Sequence, residues 1–356
     1  MNCAAPPHLS RRETGMPESL RAGADSLFDL LAAAPALPSH LVSLREVSRP
    51  MAEHCMEIAR AMEAAPPACL SRVAQGRCLG VMFYQQSTRT RMSFEAAMLR
   101  IGGHVVGFAD PTTTRAVGFY EETLEDVVRF TAEMADVLVL RHSETGAALR
   151  AAAVSPVPLV NAGDGYGEHP TQSLGDIHHL HKHFGRLDGL CIGIVGHLGW
   201  RAHRSLVTAL SLFDVRLAVL EPPGSAPPPD VQELLRARGT RVTHCAHIDE
   251  VLRLADAVTT LGVYHANFHA DFGDTANACA RQERATPDSH RITAAAVRAA
   301  GRHLPVLHIG PIADHVDRAI DAMPQAHYFK QARDGVWMRA ALLALLCRGA
   351  DAGEPE

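Results

Sequence analysis

The stretch "MFYQQSTRTRMSFEAA", Met82 to Ala97, decides how this chain is read. It follows on "CLGVMFY", Cys78 to Tyr84, a continuous apolar run of strand length. A helical apolar pattern starts almost at once, from about Thr88 to Ile101, and ends at Gly102-Gly103. A strand feeding straight into a helix predicts a βα unit with Ser87 as N-cap. A helix N-terminus leaves backbone N–H groups unpaired and carries a partial positive charge, so it binds anions. Ser87, Thr88 and Thr90 add hydroxyls at that turn, and Arg89 adds a fork of donors that fits a phosphate in bidentate fashion. The plainer reading is a capped helix with two solvated arginines, Arg89 and Arg91. The strand argues against it, because it sets the turn at the carboxyl end of a parallel sheet, where α/β proteins bind ligands.

The same alternation extends both ways. Upstream, "SRPMAEHCMEIARAMEAAPPA" has Ser48 as N-cap and Pro50 in the first turn. Met51, Cys55, Ile58, Ala59 and Met62 recur at helical spacing, and Pro66-Pro67 stop the helix. Downstream, "HVVGFAD", "DVLVLRH" and "PVPLVNAGDG" are strands, with the helix "TLEDVVRFTAEMA" between the first two. A long helix from about Pro170 to Phe184 follows, and then the pattern restarts. "LCIGIVG" and "VRLAVLEP" flank the helix "RAHRSLVTALSLF", and a proline-rich loop leads to a helix around Val231 to Arg238. "RVTHC", "IDEVLRLAD", "AVTTLGV", a long irregular loop, "ITAAAVRAAG" and "PVLHIGP" come next. The last helix, "GVWMRAALLALLCR", is apolar enough to be buried. The expected fold is α/β, two doubly wound parallel-sheet domains joined near residues 165–185.

Bulk properties narrow the class. The chain has 356 residues, 47% hydrophobic and 21% charged, which suits about two globular domains. A net charge of −5 without a clustered basic run argues against nucleic acid. Its 8 cysteines form no C-x-x-C pair and read as reduced thiols of an intracellular protein. No apolar run approaches the roughly 18 residues of a membrane helix. Residues 1–36 lack a signal-peptide core and read as a loose extension. The expectation is a cytoplasmic protein.

Two more patches fall at the same end of the first sheet. Arg141 stands just past the strand "VLVL". In "NAGDGYGEHPTQ", His169 sits at or beside an N-cap, with Pro170 in the first turn and Gln172 behind it. A helix N-terminus disfavours imidazolium, so His169 is expected to be a neutral donor able to polarise a carbonyl oxygen. The plainer alternative is a loop histidine capping its own helix.

Together "FYQQSTRTRMSFEAAMLRIGGHVVGF", "VLRH", "VNAGDGYGEHPTQSLGDIHHL" and "GVWMRAALLAL" resemble the aspartate/ornithine carbamoyltransferase family, its aspartate branch most. The resemblance covers about residues 40–350 in order. It implies a carbamoyl-phosphate domain, residues 37–170 with the last helix 335–348 packing back on it. It also implies a Rossmann-like acceptor domain, 171–334, and a homotrimer with active sites between subunits and no metal or organic cofactor. Carried over, Ser87, Thr88, Arg89 and Thr90 would hold phosphate. Thr90, Arg141 and His169 would contact the carbamoyl oxygen, and Gln172 the carbamoyl NH2. Arg201 aligns with an arginine that holds the acceptor's α-carboxylate.

The chain also departs from that pattern. On the family's mobile loop, which a neighbouring subunit inserts into the site, Ala116 replaces a phosphate-binding serine. Tyr120 falls where a catalytic lysine is expected, and Phe119 where a second lysine is common. Arg115 or the Tyr120 hydroxyl would have to compensate. After "AVTT", Leu261-Gly262-Val263 replaces the arginine and glutamine that grip aspartate's second carboxylate, which Leu261 cannot pair with. The loop His308-Ile309-Gly310-Pro311 replaces His-Pro-Leu-Pro, whose carbonyls receive the two amines. Ornithine-branch signatures are absent, and His269, Asp271 and Asp274 could greet a cation. The expected activity is carbamoyl transfer from carbamoyl phosphate to a small amino-acid-like amine other than aspartate or ornithine.

Three other readings compete. A non-catalytic paralogue, serving as scaffold or regulatory partner, would account for the lost loop lysine but not for the retained anion turn. A nicotinamide-dependent dehydrogenase would use Gly193, Gly196, Gly199 and Glu221, but the spacing is G-x-x-G-x-x-G and His197 fills the tight turn. His179 and His183 in "HHLHKH" lie one turn apart, a zinc-compatible spacing, yet no third ligand is evident. A partly exposed helix face is the expectation there.

Overall fold

A computed structural model describes residues 27–35, 37–115, 121–222, 224–263 and 286–351. The first sheet holds β1 (Cys78–Phe83), β2 (His104–Phe108), β3 (Val137–His142) and β4 (Leu159–Asp164), parallel and ordered β2-β1-β3-β4. The second holds β5 (Cys191–Gly196), β6 (Arg216–Leu220), β7 (Arg241–His244), β8 (Ala257–Gly262) and β9 (Val306–Leu307), parallel and ordered β7-β6-β5-β8-β9. The central strands β1 and β5 are almost wholly buried. That burial is why they read as unbroken apolar runs rather than alternating ones.

The helices begin where the caps demand. α1 (Arg49–Ala64) starts at Ser48, whose Oγ accepts the Met51 N–H at 3.4 Å, and Pro50 occupies the first turn. α2 (Thr88–Arg100) starts at Ser87, whose Oγ accepts the Thr90 N–H at 3.3 Å. α3 (Leu124–Ala132) is capped by Thr123, and α4 (Ala147–Ala152) follows β3. α5 (Pro170–Phe184) passes from the first sheet to the second and ends at Gly185, φ 72°, a left-handed turn that glycine adopts without strain. α6 (Arg201–Leu210), α7 (Pro229–Ala237), α8 (Ile248–Leu254) and α9 (Ala294–Ala299) flank the second sheet.

α10 (Tyr328–Asp351) returns to pack against α5, α1 and α2. Met338 and Ala340 to Ala344 are completely buried there, each large side chain contributing about 1.5–3 kcal/mol of burial. Residues 27–33, placed by the sequence in a loose extension, are helical instead. Leu27 and Leu31 are buried in the main core, an apolar pair four apart that the surrounding prolines and glycines obscured. Six cysteines among the described residues, Cys55, Cys69, Cys78, Cys191, Cys245 and Cys347, are free thiols. No described helix is long and apolar enough to cross a membrane.

Candidate active site

Each sheet reverses its winding at a central pair, β1/β3 in the first and β5/β8 in the second. Crevices open at such switch points, beyond the carboxyl ends of the strands. Register brings the right residues there. Phe83, which feeds the Ser87 turn, pairs with Arg141, and Gly196, which feeds α6, pairs with Gly262 beside Leu261. Between them lies a cleft of about 290 Å³. Ser87, Thr88, Arg89, Thr90, Arg141, His169, Gln172, Arg201, Leu261 and Gly310 all line it, with Gln85, Gln86 and Trp200, which sequence reading did not single out.

The first-sheet wall is built from donors. Arg89 sends Nε to the Ile309 carbonyl at 2.9 Å, so the α2 turn holds the 308–311 loop of the other sheet. Burial lowers the Arg89 guanidinium's pKa, which leaves it fully charged near neutral pH. Thr90 Oγ1 lies 3.4 Å from His169 Nε2, and Arg141 Nη1 donates to the Ala162 carbonyl at 3.1 Å. Gly163, φ 112°, lets the two arginines converge. A Cβ there would come within 3.1 Å of Arg141 Nη1 and 3.3 Å of Arg201 Nε.

His169 is 3% exposed and its pKa is pushed well below 6.5, first by burial and then by Arg141, Arg339 and Arg201. That direction agrees with the neutral imidazole expected there, with burial its first cause and the three arginines adding to it. Its backbone N–H donates to Ser205 Oγ at 2.8 Å, a positioning contact from α6 with no local sequence signal.

Behind Gln172 stands a layer that sequence reading missed. Gln172 Nε2 donates to Asp176 Oδ1 at 2.8 Å, and Gln331 Nε2 donates to the same oxygen at 2.6 Å. Arg339 Nη2 donates to Gln172 Oε1 at 3.3 Å, and its guanidinium carbon lies 5.2 Å from the Phe94 ring centre. Burial raises Asp176 to about 6 and lowers Arg339 to about 10. Both charges sit inside the protein, in helices whose apolar pattern gave no hint of them.

Buried histidines set a pH dependence. His169 lies well below 6.5 when folded, and burial brings His178 to about 4. Below pH 6.5 the unfolded chain binds their protons and the folded chain does not. Stability therefore falls as pH drops from 6.5 toward 5, each such proton adding about 1.4 kcal/mol per pH unit to the slope. Asp176, raised when folded, opposes this with the contrary sign for one proton. Urea denaturation at pH 7.5, 6.5 and 5.5 checks the trend, and an unchanged midpoint contradicts it.

On the second-sheet wall, Arg201 opens α6 and sends Nη1 to the Gly165 carbonyl at 3.2 Å. Leu261 is buried against the cleft. Gly310, φ 75°, packs so tightly that a Cβ would approach Arg89 Cζ to 2.7 Å. His308 Nδ1 accepts the Gly310 N–H at 2.6 Å, so its Nε2 carries the hydrogen and donates to His315 Nε2, also 2.6 Å away. Arg115 is exposed and lies outside its own chain's cleft. Ala116, Phe119, Tyr120, His269, Asp271 and Asp274 fall outside the described residues. The dinucleotide reading finds no support: Glu221 Oε1 accepts the Leu198 N–H at 3.1 Å and so closes the glycine turn it would have served.

Residues 39–182 match the family model for the aspartate/ornithine carbamoyltransferase carbamoyl-P binding domain, and residues 188–346 match that for the Asp/Orn binding domain. The aspartate carbamoyltransferase catalytic subunit of Pyrobaculum arsenaticum is 35% identical over 86% of this chain and 97% of its own. That of Archaeoglobus fulgidus is 36% identical over 86% and 98%. The solved catalytic subunit of M. jannaschii aspartate transcarbamoylase is similar at TM-score 0.75 and 33% identity, covering 89% of this chain and 100% of that one. Trypanosoma cruzi aspartate transcarbamoylase in complex with carbamoyl phosphate is similar at TM-score 0.75 and 32% identity, over 87% and 98%.

These relatives overturn the expected acceptor. Leu261-Gly262-Val263 suggested an amine other than aspartate or ornithine, yet relatives along most of the chain carry aspartate in their names. The physical reason lies in the cleft's total charge. Arg89, Arg141 and Arg201 line it and no carboxylate does among the described residues. One lost pairing at Leu261 does not reverse that field, which draws in anions and repels a cationic amine.

Proposed function

This chain belongs to the aspartate/ornithine carbamoyltransferase family and is a carbamoyltransferase, and from that premise we propose that its acceptor is aspartate. The observation that carries the reading is the three-arginine cleft between the two switch points, without an acidic side chain among its described lining residues.

In this reading Ser87, Thr88, Arg89 and Thr90 hold the phosphate of carbamoyl phosphate at the start of α2. Arg141, Thr90 and neutral His169 point donors at the carbamoyl oxygen, and Gln172 accepts from its NH2. Arg201 receives the α-carboxylate of aspartate. The amine lone pair attacks the carbonyl carbon, and charge builds on the oxygen facing those donors. The carbon–oxygen bond to phosphate then breaks, phosphate leaves with the electron pair, and the amine's proton passes to a departing phosphate oxygen. The protein's part is positioning and charge stabilisation, so no side-chain base is needed.

We take the working unit to be a homotrimer in which Arg115 reaches a neighbour's cleft. Exposed Met92, Leu99, Phe130 and Met134, each more than 60% accessible, support an apolar subunit interface.

The test is phosphate release and ureido product with carbamoyl phosphate plus aspartate, ornithine or no acceptor. Aspartate is expected to exceed ornithine at least tenfold, and an ornithine rate equal to aspartate's would sink the assignment. A second expectation concerns the rewritten wall. Leu261→Arg restores a charged partner for the β-carboxylate, worth about 1.5–3 kcal/mol, so KM for aspartate falls tenfold or more while kcat holds. An unchanged KM would show that Leu261 does not face that carboxylate.

A further inference from the structure

Away from the cleft, three histidines from separate segments converge. His183 ends α5, His303 lies in the loop before β9, and His327 immediately precedes α10. One ligand nitrogen of each lies within 4.8 Å of those of the other two. The imidazole centres are 4.7 Å apart for His183 and His327, 5.5 Å for His183 and His303, and 5.6 Å for His303 and His327.

The buried member is held in a fixed orientation. His179 Nδ1 lies 2.7 Å from Asp334 Oδ2, and His179 Nε2 lies 3.0 Å from His327 Nδ1. With His179 donating to the carboxylate and accepting from His327, the hydrogen of His327 sits on Nδ1. His327 Nε2 is then a bare lone pair. It is buried, in a residue 3% exposed, and has no hydrogen-bond partner among the described residues. A ligand imidazole whose other nitrogen is fixed by a hydrogen bond is the usual outer support of a metal centre, and here His179, itself held by Asp334, fixes His327.

We propose that His183, His303 and His327 form a site for one divalent transition-metal ion of the zinc class, with water completing the tetrahedron. Imidazole nitrogens select such ions over calcium or magnesium. Zinc–nitrogen bonds of about 2.0–2.1 Å need ligand nitrogens about 3.3 Å apart. His183 and His303 are exposed and His327 is buried, so the closing to that spacing falls to the first two. The ion joins the end of α5, the loop before β9 and the start of α10, so it staples the fold rather than touching substrate. The i,i+4 pair His179 and His183 therefore divides its work, His183 binding the ion and His179 supporting His327.

The test uses the full chain, stripped with EDTA and desalted, then given Zn²⁺ or Co²⁺. Wild type is expected to retain about one ion per chain, to show the visible absorption of tetrahedral Co²⁺, and to melt at a higher temperature with metal than without. The double variant His183→Ala/His303→Ala alters only exposed rings and should fold. It is expected to bind at least tenfold more weakly and to lose both the Co²⁺ spectrum and the metal-dependent rise in melting temperature. The proposal is overturned if wild type retains no ion, or if the double variant retains as much and responds alike, since other surface histidines then account for the binding.

Discussion

Arg89→Ala lowers kcat/KM for carbamoyl phosphate by about 10³, or roughly 4 kcal/mol of transition-state stabilisation. Two losses combine. The fork of donors at the start of α2 disappears from the phosphate turn, and the Nε contact to the Ile309 carbonyl at 2.9 Å disappears with it. The second loss loosens the 308–311 loop, which lines the same cleft, so KM for the proposed acceptor rises as well. Arg89→Lys restores a point charge without the fork and is expected to recover no more than about tenfold. Steady-state kinetics with each substrate varied, together with calorimetry of phosphate binding, read both effects. A variant with unchanged phosphate affinity would remove Arg89 from the site, and with it the anion-turn account of the whole cleft.

Arg339→Met destabilises the fold by about 3–5 kcal/mol, because it strips a buried carboxylate of its nearby cation. Arg339 is 3% exposed and Asp176 is 4% exposed, so neither charge has water to fall back on. The methionine fills much of the volume beside Phe94 but cannot hold Gln172 Oε1. The pH dependence identifies the cause. Without Arg339 the Asp176 carboxyl, already raised to about 6, rises further. The folded variant then keeps a proton that the unfolded chain releases, and the variant is less impaired at pH 6 than at pH 8. Adding Asp176→Asn removes the charge and should recover most of the stability, while kcat stays low because Gln172 remains poorly held. Guanidinium denaturation of the single and double variants measures this. A single-variant loss below about 1 kcal/mol, or one independent of pH, rejects the buried-charge account.

The acceptor shows where reading one position misleads. Leu261 was visible in the sequence, and the inference that it cannot pair with a carboxylate stands as chemistry. The conclusion drawn from it is overturned by relatives along most of the chain that carry aspartate in their names. Arg89, Arg141 and Arg201, which line the same cleft as Leu261, are far apart along the chain and meet only at the two switch points.

The sequence by itself determined the order of the strands and of the longer helices, the caps at Ser48 and Ser87, and the place of the Ser87–Thr90 turn just past a buried parallel strand. Each is local, resting on hydrogen bonds within a few residues and on apolar spacing along one element. Only the tertiary structure decided that Arg339 and Asp176 lie buried behind Gln172, why His169 is uncharged, and that His303 and His327 meet His183. Burial and convergence are properties of distant segments packed together, and the charge state and partners of a side chain follow from that packing.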